Sequence, residues 1–102
     1  MDILNITFNV EKIILEDWKK FMGKVFIPYA NVQAKFAGHN YYQVLVDDPN
    51  TETYSYQLIA NNEADIDSFL AEIFPALHRE MVQAFGERVL LFNTKLREVK
   101  IS

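Results

Sequence analysis

Asn5, Thr7 and Asn9 stand at alternate positions near the start of the chain, and Tyr41, Gln57 and Asn93 supply three more polar side chains in segments that also alternate. Amides and hydroxyls gathered on one sheet face can orient a small ligand, or polarise a carbonyl in a water-poor cavity, without being ionised themselves. The chemistry they suggest is binding, with cofactor-independent catalysis behind it. The blander use of the same groups is hydrogen bonding across a sheet or a subunit interface. Asn5, Thr7, Asn9, Tyr41, Gln57 and Asn93 are therefore the candidate ligand-binding residues, and no catalytic residue is assigned.

Other reactive residues give less. His39 and His78 are far apart, and the short spacings that place two histidines, or a glutamate and a histidine, on one metal are missing. No metal or cofactor is expected. Asp47-Asp48 and Glu16-Asp17 are adjacent pairs, whose side chains diverge. No glycine-rich phosphate loop or nucleophile-elbow pattern occurs, which leaves dinucleotide enzymes and triad hydrolases without support. Trp18, with Phe21 and Met22 at helical spacing, reads as a core anchor rather than a ligand box.

The elements that must carry these residues follow from periodicity. Leu4, Ile6, Phe8 and Val10 alternate with polar residues, which predicts a strand. Ile14 to Tyr29 repeats its apolar residues at helical spacing, with Pro28 disturbing the last turns and the segment up to Lys35 either a second short helix or an irregular one. Two strands over Phe36–Asp48 and Thr53–Ala60 flank turn chemistry at Asp47-Asp48-Pro49-Asn50. Asn61-Asn62 caps a second helical run that ends at Gly86 and is either kinked or restarted at Pro75. A long last strand covers Arg88–Ile101. The order β-α-β-β-α-β predicts an α+β, ferredoxin-like sandwich: one antiparallel four-stranded sheet, order 4-1-3-2, with two helices on one face.

This topology divides the strand residues between two faces. Leu4, Ile6, Phe8, Val44, Val46, Tyr56, Leu58, Leu90 and Phe92 are expected beneath the helices. The open face then has Asn5, Thr7, Asn9, Ser55 and Gln57 at its centre, with Ile3, Tyr41, Leu45, Ile59, Val89 and Leu91 around them. So much apolar surface asks for a cover. The second and fourth strands, about twice the usual length, are also expected to overhang the sheet. Both features point to a homodimer closed by two-fold symmetry, sheet against sheet.

A resemblance agrees. The segments N-I-T-F-N-V-E before a helix with Trp18 and Met22, F-I-P at 26–28, Y-S-Y-Q-L at 54–58, and F-P-A-L ahead of F-G at 85–86 resemble a small bacterial family of unknown function. The resemblance spans nearly the whole chain and implies a ferredoxin-like fold of the dimeric α/β-barrel type. It implies no activity.

Composition sets the outer limits. The chain has 102 residues, is half hydrophobic and contains no cysteine. One small core, and so a single domain over 1–102, is expected. The absence of cysteine excludes thiol catalysis, thiolate metal sites and disulfides, and suits a cytoplasmic protein. A net charge of −4 opposes non-specific attraction to nucleic acid or anionic lipid. The aromatic, basic strand pattern of RNA-recognition modules is absent, and no apolar run is long enough to span a bilayer. Neither nucleic acid nor membrane is expected as a partner. Acids crowd residues 61–80 and bases crowd 87–102, in blocks too short to be binding tails. The reading is an uncharacterised dimeric α/β-barrel domain, a small-ligand binder or protein-interaction module. The alternative is a cofactor-independent barrel enzyme of the monooxygenase or isomerase type.

Overall fold

The computed structural model describes residues 1–33 and 35–101, the side chains of Val32 and Gln33 aside. Four strands form one antiparallel sheet: β1 (Asp2–Glu11), β2 (Gly38–Val44), β3 (Thr51–Ala60) and β4 (Val89–Arg97), in the order β2-β3-β1-β4. This is the expected order read from the other edge. Along β1 every second residue from Asp2 to Val10 is buried, and these residues lie under a layer of helices. Leu4, Ile6, Phe8 and Val10, with Tyr56, Leu58 and Ala60 of β3, make the floor of the core.

One helical rod crosses this floor as α1 (Leu15–Phe21), a π-helical turn (Met22–Phe26) and α2 (Ile27–Gln33). Pro28 explains the π turn. It has no N–H to give the carbonyl four residues back, and its ring crowds that carbonyl. The N–H of Ile27 bonds instead to the Met22 carbonyl, five residues back. The wider turn serves the packing. Trp18, Met22, Phe26 and Ala30 are all buried and each is four residues from the next. In an unbroken α-helix such a row drifts by about 40° per step, so it would swing well away from the sheet by its fourth member. One extra residue in the π turn cancels most of that drift. The expected extension towards Lys35 crosses Ala34, which lies outside the described residues.

The second helical layer is broken in two, α3 (Glu63–Glu72) and α4 (Phe74–Phe85). Of the two options at Pro75, the structure takes the restart, with the proline in the first turn of α4, where no N–H is needed. Asn62 caps α3 by accepting the Asp65 N–H at 3.0 Å. Gly86 ends α4 at φ 59°, ψ −134°, a conformation that a Cβ resists. Gly86→Ala is expected to cost about 1–3 kcal/mol in urea unfolding. Gly23, in the π turn with open space at its Cβ position, gives the opposite sign: Gly23→Ala is expected to stabilise by about 0.5–1 kcal/mol.

The edge strands correct three expectations. β2 and β4 stop at Val44 and Arg97, so neither has the length expected of it. In β4 the phase is reversed: Leu90, Phe92, Thr94 and Leu96 pair with Asn9, Thr7, Asn5 and Ile3 and share their open face, while Val89 and Leu91 face the helices. In β2, Tyr41 pairs with Tyr56 on the helix side, and Tyr42 and Val44 take the open side. Leu45 and Val46 follow the strand and are exposed. A register displaced by one residue moves every side chain to the other face. In β4 both phases begin apolar, and in β2 both phases mix polar and apolar residues, so alternation alone could not choose between them.

The two charge blocks meet. Lys95 and Arg97 reach from β4 to α3: Lys95 pairs with Glu63 at 3.2 Å and also with Asp67, and Arg97 approaches Glu63 at 3.4 Å. Arg97 also makes a two-point contact with buried Asp2, Nε donating to Oδ1 at 3.0 Å and a terminal nitrogen to Oδ2 at 3.1 Å. This guanidinium holds the Asp2 carboxyl below its usual range. A carboxyl depressed in the folded state contributes stability that is complete above its unfolded value and is lost as pH falls through the folded one. Asp2→Asn is therefore expected to flatten the fall of stability below about pH 4, measured by urea titration at stepped pH.

Candidate functional site

The open face of the sheet is polar along most of its middle, with Ile3 and Ile59 at one end of the strip, and carries exposed apolar residues on both edge strands. On the two central strands, Asn5 donates to Thr7 Oγ1 at 2.9 Å and accepts from Ser55 Oγ at 2.5 Å. Asn9 donates to Thr51 and Thr53, at 3.2 Å each. Gln57 is paired with Asn5 across the strands and faces the same way. Outside this strip lie Tyr42 and Val44 on β2, and Leu90, Phe92 and Leu96 on β4, all exposed; Phe92 keeps 60% of its surface open.

Of the six candidate residues, the structure brings Asn5, Thr7, Asn9 and Gln57 together on this face. It does not add the other two. Tyr41 is on the helix side, its ring stacked 4.7 Å from that of Tyr56. Asn93 pairs with Ile6 on the helix side, because the β4 register is displaced from the expected one. Their places are taken by Tyr42 and Thr94, whose own alternation equally allowed it.

A second concavity lies on the helix side, where the long rod passes the β2–β3 hairpin. It is a pocket of about 250 Å³. Phe8, Trp18 and Met22 form its floor, Tyr54, Tyr56 and Tyr41 its strand wall, and Lys19, Gly23 and Ile27 its helix wall. Trp18 packs on Phe8 and Tyr54, with ring centroids 5.4 Å and 5.1 Å away. Its Nε1–H is enclosed and has no hydrogen-bond partner among the described residues. Burial and a 2.5 Å bond donated to Glu52 push the Tyr54 hydroxyl up to about 12. Burial, with Tyr41 beside it, raises Tyr56 further still. Both phenols stay neutral at physiological pH. The core reading of Trp18 agrees with its burial; of the tyrosines opposite, Tyr41 is a sequence candidate placed here rather than on the open face, while Tyr54, Tyr56 and Gly23 carry no signal beyond the run of aromatics in the β3 sequence.

The histidines stay apart. His39 Nδ1 lies 2.9 Å from Asn31 Oδ1, and His78 stacks on Phe74. Among the described residues, no three histidine, aspartate or glutamate side chains converge on a metal-sized site.

The model of the family described as a domain of unknown function, DUF4286, matches residues 1–99. The chain belongs to the DUF4286 family. The family resemblance read from the sequence thus holds. Of solved structures, a de novo designed protein with a ferredoxin fold, LFR1 1, determined by solution NMR, is similar: the TM-score is 0.51 at 14% identity, covering 100% of this chain and 90% of that one. At that identity the likeness speaks for the fold alone, and this DUF4286 domain is ferredoxin-like, α+β, with an open four-stranded antiparallel sheet. A comparison with curated proteins finds no match. No helix of the described residues is long and apolar enough to cross a membrane.

Proposed function

We propose that this DUF4286 domain is a homodimeric interaction module of the dimeric α/β-barrel type, in which two copies pack through their open sheet faces. The observation that carries this reading is the placement of Tyr42, Val44, Leu90, Phe92 and Leu96 on that one face, exposed and flanking a polar strip. Such a patch is costly to leave in water.

The strip itself is suited to being covered. Asn5 and Asn9 already bond to Thr7, Ser55, Thr51 and Thr53, so a second sheet laid over them strands fewer polar groups than bare amides would. The same bonds weigh against the barrel-enzyme alternative, which needs those amides aimed at a substrate. The reading includes a bacterial, cytoplasmic setting, with which the cysteine-free composition is compatible. Sedimentation at micromolar concentration tests it: a species of twice the 11.9 kDa chain mass is expected, and a species of one chain mass would contradict it.

A further inference from the structure

The pocket between the long rod and the β2–β3 hairpin opens on the helix side of the sheet, and its lining also includes Tyr42 and Ser55 at the hairpin, two residues of the open-face phase. Its volume is about 250 Å³, and it is lined almost entirely by rings and aliphatic groups. An apolar cavity of roughly 150 Å³ admits benzene, so this one has room for a fused bicycle.

Two features mark it as kept open. Gly23 sits on its helix wall inside the π turn, where a Cβ would meet nothing within 4 Å. Its backbone is not in the left-handed region. Neither packing nor conformation requires glycine there, and glycine costs a helix up to about 1 kcal/mol relative to alanine. Gly23 is exposed and borders the pocket, so a side chain at this position would extend into the open space beside it. Secondly, π turns of this kind recur at binding sites. Pro28 and the four-residue spacing of the buried row fix this one beside the pocket.

Charge decides the ligand class. Lys19 is at the rim, but Glu16 lies 3.9 Å from its ammonium, and Glu16 and Glu52 both act on the neighbouring Tyr54 hydroxyl. The rim therefore offers an anion no net attraction, and no carboxylate among the lining residues stands ready to pair with a cation. We infer that this pocket binds a flat, uncharged aromatic molecule of one or two fused rings, packed against the rings of Tyr54 and the exposed Tyr41.

Indole and 1-naphthoate are the probes, followed by amide and indole N–H resonances of the full chain. Indole is expected to shift Trp18, Gly23 and Tyr54 and to saturate below about 1 mM. Gly23→Leu, which extends into the space beside the pocket, should weaken indole at least tenfold with resonance dispersion and melting temperature retained. Gly23→Ala, a smaller side chain, should weaken it less. Failure of indole to saturate, shifts confined to other residues, unchanged affinity in a folded Gly23→Leu chain, or tighter binding of 1-naphthoate would each overturn the inference.

Discussion

Phe92→Asp is expected to turn the dimer into a monomer. Phe92 lies in the middle of β4 on the open face, paired with Thr7 across the strands, and has no place in the buried core. In a sheet-to-sheet dimer its ring would be enclosed by the other copy. Aspartate there buries an unpaired charge, and two-fold symmetry places it in the interface twice. Self-association should weaken roughly 100-fold or more, the scale of a central aromatic hot spot in a protein interface. Because the ring is largely exposed in the isolated chain, the melting temperature of the monomer should change little. Light scattering over a dilution series reads the first effect and thermal unfolding the second. A variant that stays dimeric would move the interface elsewhere.

The largest effect on stability is expected at Phe8. Its side chain is fully buried in the middle of β1, with the rings of Trp18 at 5.4 Å and Phe26 at 5.6 Å. Phe26 in turn meets Tyr56, so the removal of one ring unsupports the rod and the sheet together. Phe8→Ala should cost roughly 3–5 kcal/mol, through lost burial and the cavity left behind. A chain of this length has about 5–15 kcal/mol in total, so the variant would approach its unfolding threshold. The midpoint of urea denaturation measures this directly. Phe92→Ala, an aromatic truncation of the same size on the exposed face, serves as the contrast and should cost far less in the monomer.

That contrast also shows what the sequence could disclose. In β1 only one phase of the alternation is apolar throughout, so its buried face, and with it Asn5, Thr7 and Asn9 on the other, was legible at once. The caps at Asn62 and Gly86 were legible for a local reason: each is set by its own dihedral angles and nearby hydrogen bonds. β4 was not, because Val89 and Leu91 compete with Leu90 and Phe92 for the same core. What decides between them is remote. The present register lets Lys95 and Arg97 reach Glu63, Asp67 and Asp2, and it puts Val89 under the helices. Asn93 and Tyr41 were misplaced for this reason, through register rather than residue type. The pocket was hidden for a different one. Its lining comes from segments far apart in the chain, Trp18 and Gly23 on the rod and Tyr41 and Tyr54 on the hairpin, and the rod carries a π turn that periodicity rules do not represent.

The central claim is that two copies meet through the open face, and intermolecular NOEs in a mixed sample of labelled and unlabelled chain test it most directly. Contacts between copies are predicted from Phe92, Leu90 and Leu96 of one chain to open-face residues of the other, with none from His78 or Val82 on α4. Intermolecular NOEs arising instead from the helices, or a single-chain species with no such NOEs at all, would contradict it.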